Sequence, residues 1–294
     1  MDPPILSLVI PSHHRTDLLR RCLASVARHA PAGTEVIVVD DGSPRQIVSA
    51  AATEFAGVRA LRLSERMGFA AAVNAGVAAA QGDIVELLND DTEVTAGWAA
   101  AALVHFSDPI VAAVAPLVLQ ADAGPRWPSV DSAGDHWYGV GVARKRGHGR
   151  PLTRRWLWRR PVFAVSGCGG FYRRALFLAL GGFPVHFGAY FEDVDYSLRL
   201  RRTGHRVLYE PRSQLWHHGA ASYGPPRDAL LEQQSCNEER VFWRHAHGPT
   251  LLGLLPLHVG VVVAKAWRRW QRGELRPFLR GRWRAWRELW PSSA

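Results

Sequence analysis

Residues 35–43 read EVIVVDDGS, an apolar, β-branched run that ends in two carboxylates and a turn. A run of this kind suits a strand buried on both faces, and Asp-Gly-Ser is ordinary turn and helix-cap chemistry, so the segment alone says strand, then turn. Its neighbours decide the fold. Upstream, ILSLVIP, Ile5–Pro11, reads as a second buried strand closing on a proline, and between the two DLLRRCLASVARHA carries apolar residues at helical spacing. Downstream come the helix QIVSAAATEFA, the strand VRALRLSE, the helix GFAAAVNAGVAAAQG and the strand DIVELLNDD. This alternation predicts an α/β chain, a Rossmann-like, mostly parallel sheet flanked by helices. In such sheets ligands bind beyond the carboxyl ends of the strands, so PSHH, DDGS and NDDTEV should meet in space.

The chain has 294 residues, enough for a large core, and its 47% hydrophobic and 21% charged content is that of a globular protein rather than a disordered one. Its net charge of +10 is uneven, because arginine crowds the second half, above all after Lys265. Such a patch suits nucleic acid, anionic lipid or a phosphorylated substrate, and no nucleic-acid motif accompanies it. Cys22, Cys168 and Cys236 form no CxxC pair, which argues against a zinc site or a disulfide framework and fits a reduced cytoplasmic setting. The expectation of a cytoplasmic chain is reinforced by MDPPILSLVIPSHHRT, whose apolar run is too short for a signal peptide. Leu251–Ala266 is apolar but short of about 20 residues and interrupted by Pro256 and His258, which points to lying on a membrane rather than crossing one.

No GxxxxGK[ST] or GxGxxG loop is present, so a P-loop or dinucleotide fold would lack its anion cradle. A metal would have to replace it, and the aspartates of LLNDDTEV can hold Mg²⁺ or Mn²⁺ against a diphosphate. Residues 121–160, rich in Gly, Pro, Arg and Trp, read as loops or edge strands, either a mobile lid or acceptor wall or an ordinary surface excursion. VFAVSGCGGFYRRALFLALGGF then reads as a strand, a small-residue turn and a helix ending at Gly181 and Gly182. FEDVDYSLRLRRTGHRVLYEP places Glu192, Asp193 and Asp195 at the head of an arginine-studded helix, where the helix dipole favours acids and Asp195 can pair with Arg199.

Taken in order, LVIPSHHRTDLLRRCLASV, EVIVVDDGS, RMGFAAAVNAG, LLNDDTEV, SGCGGFYRR and the FEDVD segment resemble the family 2 glycosyltransferases over roughly the first 220 residues, nearest the branch of bacterial rhamnosyltransferases and galactofuranosyltransferases. The resemblance implies a GT-A fold, a nucleotide-diphosphate sugar donor, and an inverting, metal-dependent transfer to a saccharide hydroxyl in bacterial surface polysaccharide or glycolipid synthesis. It places Pro11, Ser12, Asp40, Asp41, Arg66, Gly68, Asn89 and Asp90 around the donor, with Asn89 standing where the family's DxD-type motif has its first Asp. Asp91 becomes the metal ligand, completed by His217 rather than His218. Asp193, beside Glu192, becomes the general base that deprotonates the acceptor hydroxyl. Gly169 and Gly170 fall on the acceptor side, where glycine permits close approach of a substrate.

These readings divide the chain into a nucleotide-sugar half, 1–120, an acceptor and catalytic half of the same domain, 121–225, and a C-terminal basic helical extension, 226–294. In the extension Trp267, Trp270, Trp283, Trp286 and Trp290 recur at helical spacings among arginines, a composition suited to lipid headgroups on the inner face of the cell membrane or, alternatively, to a helical hairpin packed on the domain. The acceptor is then expected to be lipid-linked. The competing readings are a catalytically inactive GT-A-like module, a nucleic-acid binder working through the tail, and a metal-dependent nucleotidyltransferase.

Overall fold

The computed structural model describes residues 6–121, 128–219 and 227–289; Ile5 and Trp290, named above, lie outside them. The predicted alternation is present: β1 (Leu6–Ser12), α1 (Thr16–His29), β2 (Glu35–Asp40), α2 (Ile47–Thr53), β3 (Val58–Arg62), α3 (Phe69–Ala79) and β4 (Ile84–Leu88). These strands run parallel in the order β4-β1-β2-β3, with Ser12 opposite Asp40 at the carboxyl end. Alternation along β1 builds two cores at once, Val9 joining the layer under α3 while Leu8 and Ile10 join the layer under α1. Gly76 lets α3 lie close on the sheet, since a Cβ there would come within 2.3 Å of Val9.

The second half extends the same sheet in mixed sense. It comprises β5 (Thr92–Val94), α4 (Trp98–Leu103), β6 (Val111–Gln120), β7 (Ser129–Ser132), β8 (Asp135–Trp137), β9 (Ala143–Lys145), β10 (Arg150–Pro151), β11 (Arg160–Val162), β12 (Gly169–Arg173), α5 (Arg174–Ala179), α6 (Glu192–Arg202) and β13 (Arg206–His217). Strand β12 runs antiparallel between β4 and β6, and β13 lies parallel along β6. The result is a mostly parallel mixed sheet flanked by helices.

Two local expectations change. SGCGG is not wholly a turn: Gly169 and Gly170 open β12, paired with Leu88 and Leu87. The described part of 121–160 is built structure, in which β7 pairs with β6 and β10 and β8 pairs with β9, because Val130 and Trp156 supply buried apolar anchors.

Three helices follow: α7 (Arg227–His245), α8 (Pro249–Gln271) and α9 (Leu275–Leu289). The tail arginines are not all free for headgroups, since Arg282 pairs with Glu238 and Glu239 of α7, and Arg284 pairs with Glu232. Helix α8 continues through Pro256 for 23 residues and is, among the described residues, the one helix long and apolar enough to cross a membrane by length and composition.

Candidate active site

The carboxyl ends of β1, β2 and β4 do converge. Ser12 Oγ donates to Asp90 Oδ2 at 2.6 Å, the Asp41 amide donates to the Ser12 carbonyl at 2.9 Å, and His13 Nδ1 lies 2.7 Å from the Asp41 carbonyl. Asp41 reaches over to the loop before α3, accepting from the amides of Met67 at 2.6 Å and Gly68 at 3.0 Å. Gly68, with φ 88°, takes a conformation that favours glycine, while Arg66 beside it is exposed. Pro11 is buried within β1 and Asn89 is partly buried in the loop after β4.

Asp40 departs from the donor-lining expectation. It is fully buried and accepts from the amide and hydroxyl of Ser43, the amide and hydroxyl of Ser49, and Arg62. Those donors hold its carboxyl below the usual range despite burial. Asp40 therefore ties β2 to α2 and β3, leaving Asp41 as the member of the pair turned to the loop 65–68.

Asp91 and His217 meet from opposite halves of the sheet. His217 Nε2 lies 3.2 Å from Asp91 Oδ1, and Arg15 Nη1 lies 3.6 Å from Asp91 Oδ2. His218 turns away to Glu93 at 2.7 Å. On its other nitrogen His217 faces Asp131 Oδ2 of β7 at 3.2 Å. Burial pulls the His217 ring down, but Cys168, Asp131 and Asp91 outweigh it and push its pKa up to about 12. His217 thus lies between two carboxylates, Asp91 on Nε2 and Asp131 on Nδ1. The same geometry, with Asp131 orienting Nδ1 and Nε2 aimed at Asp91, fits a divalent metal of the Mg²⁺ or Mn²⁺ kind. Cys168 also lies close, its sulfur within 4.8 Å of ligand atoms of Asp131 and His217, a grouping that no CxxC search reveals because three elements supply it.

Asp131 links this pair to the acid cluster at the head of α6. Lys145 Nζ donates to Asp131 Oδ2 at 2.8 Å, and its charge also reaches Asp135 and Asp193. Asp193 Oδ2 accepts from the Gly167 amide at 2.9 Å, and Oδ1 from the Val194 amide at 2.8 Å. Glu192 is 4% exposed, and its Oε2 has no hydrogen-bond partner among the described residues. Burial raises Glu192 well above the ordinary carboxylate range, with Asp193 adding to it, and burial raises Asp193 too. Asp135 follows them to about 7, by burial and then by Asp193. Gly167 borders the pair: a Cβ there would lie 3.4 Å from Asp193 and 3.5 Å from Glu192. At Gly169 and Gly170 the space a Cβ would need is taken by Leu215 and Val165 at 2.2 and 2.3 Å, so these two glycines serve packing inside the sheet.

The loop that delivers Glu192 and Asp193 is strained, with Tyr190 and Phe191 at φ 71° and 70°. It is clamped from α7 by Asn237, whose Nδ2 donates to the carbonyls of Phe187, Ala189 and Tyr190 at 2.8–2.9 Å. Asp195 pairs with Arg199 as expected, at 2.8 Å, and also receives Arg244 at 3.0 Å and His245 at 2.9 Å, fastening α6 to α7. Asp131, Asp135, Lys145 and Asn237 went unread in the sequence; the one signal for Asp131 and Lys145 was the alternation in SVDS and ARK, which marks strands rather than loops.

A parallel sheet whose carboxyl ends meet an Asp–His pair and a buried acid pair is the architecture of a GT-A glycosyltransferase. The fold is shared with GalNAc-T7, solved with UDP, GalNAc and Mn²⁺, at a TM-score of 0.61 and 20% identity over 82% of this chain and 48% of that one. Residues 7–180 match the model of glycosyl transferase family 2, and the chain belongs to that family. The pre-mycofactocin glycosyltransferase of Mycobacterium tuberculosis is 32% identical over 72% of this chain and 42% of its own length. The N-acetylglucosaminyl-diphospho-decaprenol L-rhamnosyltransferase of the same organism is 27% identical over 92% of this chain and 97% of its own. The chain spans 25% and 42% of the length of the first curated relatives it matches.

Proposed function

We propose that the chain is an inverting, metal-dependent glycosyltransferase that moves a hexosyl or deoxyhexosyl group from a nucleoside-diphosphate donor to a hydroxyl of a lipid-linked saccharide, in synthesis of a bacterial surface polysaccharide. The observation that carries the reading is the chain of contacts from Asp91 through His217 and Asp131 to Lys145, with Asp193 held on the Gly167 amide next to Cys168, whose sulfur lies near the same Asp131 and His217. In this reading Asp91 and His217 form the diphosphate-side cation site and Asp193 is the acceptor-side base. The name of the full-length rhamnosyltransferase relative supports a lipid diphosphate acceptor.

Asp90, Asp41 and the loop 65–68 shape the donor side, and Asp91 with His217 would hold Mg²⁺ or Mn²⁺. When bound, the cation supplies neutralisation of the charge gathering on the departing diphosphate. Asp193 takes the proton of the acceptor hydroxyl as its oxygen attacks the anomeric carbon. The bond from that carbon to the diphosphate oxygen breaks, the electron pair leaves with the diphosphate, and the single displacement inverts the sugar. Burial raises the Asp193 carboxyl and so makes it basic enough to accept that proton, with Glu192 buried beside it.

The C-terminal helices suit a position on the inner face of a membrane. Leu252, Leu257, Val259, Val263, Trp267 and Trp270 are exposed along α8, and Arg268, Arg272 and Arg276 flank its end. His258, in mid-helix, faces Glu239 of α7 at 3.2 Å and the Val140 carbonyl at 2.9 Å, so a crossing would drag the charged α7 into hydrocarbon. Lying in the interface avoids that cost.

The test is calorimetry and thermal shift with UDP, TDP, GDP and CDP, each with and without Mn²⁺, on the wild type and Asp91→Ala. One nucleotide should bind with metal and lose that dependence in the variant. In turnover, nucleoside diphosphate should be released; pyrophosphate release would make the protein a nucleotidyltransferase, and no nucleotide binding under any condition would leave an inactive module.

A further inference from the structure

A cavity of about 760 Å³ opens among residues 144–156, lined by Arg144, Lys145, His148, Arg150, Arg155 and the ring of Trp156. Among the described residues no carboxylate belongs to its wall, and from 144 to 160 the chain holds eight Lys and Arg and no Asp or Glu. Lys145 and His148 face Asp131, whereas Arg144, Arg150 and Arg155 form no ion pair among the described residues. Arg155 is laid over the Trp156 ring, 4.5 Å from its centroid, which holds the guanidinium by its face and leaves its N–H edge for a ligand. The crowding is costly: burial and then Arg160 and Arg155 together depress Arg146. A fold that gathers cations against their own repulsion, with no acid among the described residues of the wall, is built for an anion from outside.

The position of the cavity narrows the anion. One wall is Lys145, which donates to Asp131 of the candidate site at 2.8 Å, and Arg144 beside it lies on β9, just past the turn whose Val140 carbonyl meets His258 of the exposed apolar helix α8 at 2.9 Å. We propose that this cavity is the subsite for the phosphate or diphosphate of the acceptor, holding it between the sugar hydroxyl at Asp193 and an apolar chain lying along α8. This rests on the acceptor reading given above and adds the residues that recognise the anion. Planar guanidinium forks suit phosphate oxygens, and two or three of them offset the charge of a diphosphate.

The test uses the full chain carrying Arg144→Gln, Arg150→Gln and Arg155→Gln together, three exposed positions whose replacement should leave thermal unfolding unchanged. Inorganic pyrophosphate is titrated by calorimetry in EDTA, so that no divalent cation can recruit it to Asp91. Flotation with phosphatidylglycerol vesicles, and nucleoside diphosphate binding with Mn²⁺, are measured alongside. The proposal expects pyrophosphate affinity to fall at least about tenfold in the triple variant while the other two readouts hold. Unchanged pyrophosphate affinity overturns it. A parallel loss of flotation also overturns it, because the cations would then be headgroup contacts. Wild type that binds no nucleoside diphosphate but keeps the arginine-dependent pyrophosphate site would sink the donor reading and support the anion site, so the two failures are distinguishable.

Discussion

Asn237 of α7 donates to the Tyr190 carbonyl at 2.8 Å, and so a helix of the C-terminal extension holds the backbone that presents Asp193. Two successive aromatic residues at positive φ cost about 1–3 kcal/mol each, and the Asn237 amide, bonded to the carbonyls of Phe187, Ala189 and Tyr190, holds the backbone that enters them. Asn237→Ala should lower kcat by roughly 10- to 100-fold, the worth of a buried hydrogen-bond cluster, with little change in donor affinity. Steady-state kinetics beside calorimetric donor binding separate the two, and an equal loss in both would give Asn237 a role in overall stability only.

The acid limb of the pH–rate profile should report the Glu192–Asp193 pair. Burial raises both carboxyls, so activity requires a deprotonated Asp193 and rises with pH through a value above the ordinary aspartate range. Glu192→Gln imitates the neutral neighbour against which Asp193 titrates, so the acid limb should keep its position. Asp193→Asn should abolish turnover and preserve donor binding. An acid limb displaced by Glu192→Gln would show that Glu192, not Asp193, sets it.

Asp131 orients His217 from the side opposite Asp91, at 3.2 Å. Removing such a partner typically weakens metal binding about 10- to 100-fold, and Asp131→Asn should do so for Mn²⁺ titrated by its paramagnetic resonance signal. Cys168→Ser should leave Mn²⁺ affinity unchanged. If Zn²⁺ binds in preference and that preference disappears in Cys168→Ser, the metal belongs to the Asp131, Cys168 and His217 group instead.

Glu86, fully buried on β4, accepts from Trp98 Nε1 at 3.0 Å and is pushed up to about 8, by burial above all. Its folded pKa lies above its unfolded one, so the stability it contributes is fully present below about pH 4.5 and is lost as pH rises through 8. Glu86→Gln keeps an acceptor for the indole and removes the titration. It should stabilise the protein by about 2–4 kcal/mol at pH 9 and change little near pH 4, in urea unfolding at the two pH values.

Trp267 and Trp270 are each 58% exposed on α8. Replacing both by Ala should reduce flotation with anionic vesicles and leave the unfolding temperature unchanged, because neither ring is buried in the protein. A variant that floats as well as wild type would remove α8 from the membrane contact.

Much of the site was legible. Ser12, Asp41, Asp90, Asp91 and Asp193 stand where strand ends and helix starts put them, because each lies beside a strong local periodicity that positions it along the chain. Gly169 and Gly170 were misread since two glycines look like a turn until the side chains that fill their missing Cβ space, Leu215 and Val165, arrive from elsewhere. Asp40 and Asp41 are indistinguishable as neighbours in DDGS; only the donors of α2 and β3 sort one inward and the other toward the loop.

By itself, the sequence determined the parallel half of the sheet, the strand ends at which ligands gather and the identity of the acid-headed helix. Those follow from local pattern: apolar period, turn chemistry and carboxylates at fixed offsets. Tertiary structure alone decided that His217 meets Asp91 and Asp131, that Lys145 joins Asp131 to the neighbourhood of Asp193, and that Asn237 holds Tyr190. These partners are separated by 14 to 126 positions in the chain and share no spacing rule; sheet register and helix docking bring them together, and those are set by burial of the two cores rather than by any single motif.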